Sequence, residues 1–235
     1  DLIVYADDVL TINHRWWYAY ADELEKRGVR IPFEGISRAD RLDEKIVAKL
    51  AEMGCYRLWN GSESGSQKIL DAMKRKVTKA DVQAKTHLLQ KYGIEAGMFI
   101  MLGYDTETLE DIEETVEHLK VCNPDVFLTT VAYPIKGTPY YAKVEADILR
   151  EGDWVDAADR DLTVGGRYSK RFYSYATRWM VNEVALNRAR LGGGVSATRM
   201  TKMWLNTKIG RMGMALTQNE REATGKAITE AILQT

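Results

Sequence analysis

Apolar runs and segments of helical period alternate along the first 134 residues. Residues 2–6, LIVYA, read as a buried strand, and 14–28 as an amphipathic helix closed by Gly28. Residues 29–37 read as a second strand, with Pro32 unfavourable in its middle. In 43–54 the apolar positions Ile46, Val47, Leu50 and Met53 recur at helical spacing, and Gly54 ends the run. Strand 55–61 and helix 66–75 follow. Thr78 or Asp81 caps a further helix that reaches Tyr92. Residues 94–103 read as strand, 107–121 as an acidic-faced helix and 125–134 as the last strand.

Five strands separated by helical connections imply a parallel sheet with right-handed crossovers. In such folds chemistry collects at the C-terminal ends of the strands. The polar residues gather at those ends: Asp7 and Asp8; Ser37, Arg38 and Asp40; Asn60, Ser62, Glu63 and Ser64; Gly103, Tyr104 and Asp105; Tyr133 and Pro134. After about residue 140 the pattern changes. Segments 141–154, 168–194, 197–212 and 219–233 read as helical, so residues 1–141 form an α/β domain and 142–235 a helical appendage.

Composition narrows this only a little. The 235 residues are 45% hydrophobic and 29% charged, an ordinary globular balance, and a net charge of -1 gives no electrostatic case for nucleic acid or an anionic membrane. No apolar run approaches the roughly 20 residues that span a bilayer. Two cysteines, Cys55 and Cys122, make no disulfide framework and suit a reducing cytoplasm. Each sits among apolar residues and reads as a buried structural thiol. The three histidines lie in helical segments without ligand spacing and read as surface or packing residues, and no metal ligands are assigned in this chain. The sequence opens on an apolar run without a methionine, which suggests a fragment.

Two stretches carry candidate chemistry. In 5-YADD-8 the paired aspartates fit the divalent-metal signature of a reverse-transcriptase-like nucleotidyl transferase, which needs a hairpin of 2–6 with 9–13. In 61-GSESGSQ-67 a carboxylate stands between glycines where a strand passes into a helix. A helix-start turn with a solvated glutamate is the alternative reading.

Taken in order, 52-EMGCYRLWNGSESGSQ-67, 3-IVYADDVLTIN-13, 37-SRADRLDEKIVAKLAEMGC-55, 98-MFIMLGYDTETLEDIEETV-116 and 133-YPIKGTPYY-141 resemble the segments of radical S-adenosylmethionine (SAM) enzymes. The likeness extends to the group that carries an N-terminal cobalamin-binding domain. It covers residues 2 to 141, with Tyr104 and Asp105 where that family usually has Pro-Gly. The resemblance implies a partial (β/α)6 TIM-like barrel, of which strands two to six are present. It also implies SAM and a [4Fe–4S] cluster as cofactors, with cobalamin as a further one. The family's C-x3-C-x2-C cluster loop is absent from this sequence, so the resemblance places it, with the first strand, upstream.

The resemblance also implies roles. Glu63 would accept hydrogen bonds from the SAM ammonium or ribose, with Gly61 and Gly65 letting the backbone approach and Ser64 adding a hydroxyl. Arg38 would pair with the SAM carboxylate or with Glu63, or alternatively, as a surface ion pair, with Asp40 or Asp43. Gly103 and Pro134 would border the nucleoside, and Asp7 and Asp8 would position a small-molecule substrate. The intact enzyme would generate a 5′-deoxyadenosyl radical, and this part alone would be inactive. A non-catalytic scaffold remains a third reading, and the substrate and oligomeric state are not specified by the residues.

Overall fold

Five strands line up in chain order in the computed structural model, which describes residues 2–150 and 162–222. They are β1 (Ile3–Val4), β2 (Phe33–Ser37), β3 (Cys55–Glu63), β4 (Glu95–Leu102) and β5 (Val126–Val131). All five run parallel and curl into a half-barrel, as a partial TIM-like barrel requires. The crossovers carry α1 (His14–Lys26), α2 (Glu44–Met53), α3 (Gln67–Ala72), α4 (Lys79–Lys91) and α5 (Leu109–Cys122). Side-chain caps begin four of these helices. Asn13 and Asp43 accept from the third residue on, and Thr78–Asp81 and Thr108–Asp111 form reciprocal capping boxes. Gly54 closes α2 at φ +99°, a left-handed geometry open to glycine.

The apolar periodicity explains the packing. Phe33 and Leu58 of the sheet meet Trp17, Ile46, Val47, Leu50 and Leu89 of the helices in one buried cluster. Burying each such side chain contributes about 1.5–3 kcal/mol.

Several boundaries differ from the sequence expectation. β1 holds only two residues, and β2 starts after Pro32, whose nitrogen has no hydrogen to donate to a ladder. Residues 8–11 form turns, and Leu10 N–H donates to Ile36 O at 2.8 Å. The stretch 9–13 is therefore no second strand, and β1 pairs in parallel with β2 rather than in a hairpin. β3 runs two residues further than expected, through Glu63.

Clustering of contacts divides the chain into two units, Asp1–Leu102 with Thr106–Thr130, and Gly103–Asp105 with Val131–Thr235. In the second unit α6 (Pro139–Val144) starts on a proline behind a Thr138 cap. The helix expected over 141–154 ends there. A two-stranded antiparallel ribbon follows, of β6 (Ile148–Arg150) and β7 (Leu162–Val164). The end of the expected helix, 151–154, lies outside the described residues. Two long helices, α7 (Lys170–Gly192) and α8 (Ala197–Thr217), complete the unit. Gly210 and Gly213 let α8 lie close on α7: an added Cβ would stand 2.7 Å from Trp179 N and 2.3 Å from the Tyr175 ring. The helix expected at 219–233 falls mostly outside the described residues, and Arg221 instead bridges to Tyr168 as extended chain. No helix among the described residues is long and apolar enough to cross a membrane.

Candidate functional site at the end of the third strand

Side chains of β3 alternate between two faces. Leu58, Asn60 and Ser62 are buried toward the helices, whereas Trp59, Gly61 and Glu63 lie on the other face. At the end of the strand the ladder slips. Gly61 pairs with Phe99 of β4 and Glu63 with Ile100, which leaves Ser62 as an extra residue. Glu63 absorbs the kink at φ +60°. A non-glycine residue held there costs on the order of 1–3 kcal/mol.

Helix α5 holds the kink in place. His118 Nε2 bonds Ser62 Oγ at 3.0 Å, and Thr115 Oγ1 bonds Ser64 Oγ at 3.2 Å and accepts from Gly65 N–H at 2.9 Å. Ser66 Oγ donates to Asp111 Oδ1 at 2.7 Å. Residues 111, 115 and 118 share one helical face. Gly65 serves the same docking. A Cβ there would lie 2.5 Å from His118 Cβ and 2.6 Å from Glu114 O, so the glycine admits α5. The hydroxyl of Ser64, wholly buried, bonds Thr115 Oγ1 and accepts from Ser66 N–H at 3.1 Å.

Two titratable groups of α5 are tuned by this contact. Burial opposes ionisation of Asp111, but the Lys68 ammonium and hydrogen bonds from Ser66 and Thr108 outweigh it and hold the carboxyl below its usual range. Burial, with the Lys79 charge, pushes the His118 imidazole down to about 4. The Gln83 amide donates to its Nδ1 at 3.3 Å, which leaves the ring proton on Nε2 for Ser62.

With the serines turned toward α5, Glu63 is the group presented on the other face. Its partner was not singled out from the sequence. Arg75 Nη2 lies 3.2 Å from Glu63 Oε1 and donates to Gly61 O at 3.1 Å. Arg75 sits between Lys74 and Lys76, both at φ +56°, in the turn after α3. Its Nε is buried and has no hydrogen-bond partner among the described residues. Burial pushes the Glu63 carboxyl above its ordinary range, and the Arg75 charge pulls it partly back. A side chain at Gly61 would strike this pair, at 2.8 Å from Arg75 Nη2 and 2.9 Å from Glu63 Oε1. The signal in the sequence was 74-KRK-76, three cations in a turn, of which one is drawn inward.

The other named residues are placed as follows. Arg38 Nε donates to Asp40 Oδ1 at 2.8 Å, the alternative pairing, while its Nη2 reaches Arg75 O at 3.4 Å. Asp7 and Asp8 are exposed, and no group of three or more His, Cys, Asp or Glu suited to a metal occurs among the described residues. Cys55 and Cys122 are buried, with thiols pushed by burial up to about 12. Gly103 and Pro134 belong to the second unit. There Gly103, at φ +74°, packs so closely on Tyr173 that an added Cβ would lie 2.9 Å from its ring.

A parallel half-barrel with its charged pair at a strand end defines an α/β barrel-type site. Residues 11–119 match the model of the radical SAM superfamily. An uncharacterized methyltransferase of Pyrococcus horikoshii is 27% identical over 136 residues, covering 58% of this chain and 30% of that protein. The anaerobic magnesium-protoporphyrin IX monomethyl ester cyclase of Rubrivivax gelatinosus is 26% identical over 125 residues, 52% of this chain and 22% of that protein. The chain thus spans less than a third of either relative. Among solved structures, the radical SAM methyltransferase TsrM of Kitasatospora setae, with cobalamin and a [4Fe–4S] cluster bound, aligns with a TM-score of 0.56 and 17% identity. The alignment covers 66% of this chain and 31% of that one, a likeness of fold.

Two outcomes follow from the docking on α5. Gly65→Ala should lower unfolding stability by about 1–3 kcal/mol, since the neighbouring atoms are helix backbone and a Cβ that cannot swing aside; urea titration reads this. Between pH 6.5 and about 4 the unfolded chain protonates His118 whereas the folded chain resists. That residue's contribution is therefore lost as pH falls through the window, up to about 3 kcal/mol. His118→Gln should flatten this part of the stability profile; an unchanged slope would remove His118 as its source.

Proposed function

We propose that this chain supplies the SAM-binding wall of a radical SAM enzyme acting on a small-molecule substrate. The observation that carries the reading is the Glu63–Arg75 pair. The amino-acid end of SAM is a zwitterion, and the pair offers its complement. Glu63 would accept from the ammonium, and Arg75, through its unpartnered Nε, would donate to the carboxylate. Gly61, lacking a Cβ, lets both side chains lie across it, and Arg38 adds a second cation whose Nη2 reaches Arg75 O. Ser64 contributes by holding the turn that points Glu63. On the resemblance alone, Gly103 and Pro134 are proposed for the nucleoside end and Asp7 and Asp8 for substrate.

When bound, the cofactor supplies one-electron chemistry at carbon. Two buried, separated thiols do not fit the cluster that such chemistry uses, so no step is assigned to iron on these residues. Cobalamin dependence, the finer reading, leans on the fold shared with TsrM. Activity is expected of the whole protein, not of these residues alone. The nucleotidyl-transferase alternative required a hairpin around Asp7 and Asp8, and β1 pairs in parallel instead.

Isothermal titration of SAM into the chain separates the reading from a scaffold. Glu63→Ala should weaken binding roughly ten- to hundred-fold, the worth of a charge-assisted hydrogen bond of about 1.5–3 kcal/mol. Glu63→Gln should cost less, because its amide oxygen still accepts. Arg75→Met should weaken binding as Glu63→Ala does. If all three variants bind SAM like the parent, the pair is structural and the proposal fails.

A further inference from the structure

The second unit contains a cavity of about 400 Å3 that plays no part in the site on β3. Its size falls in the range of small-molecule sites, roughly 300–1,000 Å3. Its walls come from the chain at the end of β5, the strand β7, the turn that follows it with Arg167 and Tyr168, the first two turns of α7, and Glu222. Apolar side chains dominate. Leu162 and Val164 of the ribbon are buried, and Tyr168 and Tyr173 add aromatic carbon to the lining. Tyr168 is itself fixed, stacked on Phe172 with ring centroids 4.0 Å apart and covered by the Arg221 guanidinium at 4.3 Å. A rigid aromatic wall of this kind suits a flat apolar body.

Charge on the lining is unequal. Arg167 and Lys170 are cations, and Glu222 is the one acid among the described lining residues. Glu222 Oε1 accepts from the Lys170 backbone N–H at 2.6 Å, so its charge already serves the start of α7. Arg167 is anchored in the wall, donating from Nη1 to Ala132 O at 2.6 Å and lying 5.5 Å from the Tyr140 ring centroid. A planar guanidinium held in an apolar wall recognises a carboxylate better than a neutral group of the same shape.

We propose that this cavity binds a flat, apolar carboxylic acid, with the rings between the Tyr168–Tyr173 wall and Val164 and the carboxylate toward Arg167. The proposal stands apart from SAM binding, and its test uses neither cluster nor cofactor. The probes are 2-naphthoate and its neutral counterpart 2-naphthylmethanol, titrated calorimetrically into the 235-residue chain. One naphthoate should bind per chain, at least tenfold more tightly than the alcohol. Thr177→Trp and, separately, Ser174→Trp, both on the α7 side of the cavity, should each lower naphthoate affinity tenfold or more. Arg167→Met should erase the preference for the acid while the alcohol stays within about twofold, and Arg167→Lys should keep part of the preference. Circular dichroism checks that each variant is folded. The proposal is overturned if neither probe binds, if the alcohol binds as well as the acid, or if folded tryptophan variants bind naphthoate like the parent.

Discussion

The contact between residues 62–66 and one face of α5 is the constraint on which the candidate site depends. Four hydrogen bonds, from His118, Thr115 twice and Asp111, draw three serines and a glycine amide inward. A strand alternates sides, so fixing Ser62 and Ser64 toward the helix leaves Glu63 no direction but the opposite one. The bulge and the positive φ of Glu63 are consequences of that docking. A strained backbone of order 1–3 kcal/mol persists only where its surroundings over-determine it, and here they do.

The docking also sets the electrostatics. A carboxylate turned onto a partly covered face loses solvation, which raises its proton affinity; Arg75 offsets part of that. Arg75 reaches Glu63 because the chain after α3 turns through two left-handed lysines on either side of it. Three strained residues, Glu63, Lys74 and Lys76, therefore lie around one ion pair. Strain of this kind around one ion pair is the observation that motivates the proposed binding role.

Much of the first unit was legible because its signals are local and repeated. Helical spacing of Ile46, Val47 and Leu50, the cap at Thr78 and Gly54 as a stop each determine an element without reference to the rest. The order of those elements, with the GSESGS turn, was enough to suggest the superfamily that residues 11–119 match. The missed features are those that depend on distant neighbours. Nothing near Gly65 announces that α5 will lie against it, and Arg75 looks like any surface cation until the turn folds it back. The ribbon of β6 and β7 escaped because 141–154 has helical spacing, whereas the pairing that stabilises its end lies across an intervening segment.

The same logic separates roles within one short motif. Serine and glutamate in GSESGS are all polar, yet they meet opposite demands. A buried hydroxyl must find partners, and Ser62, Ser64 and Ser66 find them on α5. A buried carboxylate needs a cation or a proton, and among the described residues Glu63 has Arg75, whose buried Nε has no hydrogen-bond partner there. The serines are thus complete without a ligand and the ion pair is not. On the proposed reading, a pair with an unmatched donor among the described residues is where a zwitterion would gain from binding. In that reading the chemistry of the turn resides in Glu63 and Arg75, with the serines as the means by which the fold aims them.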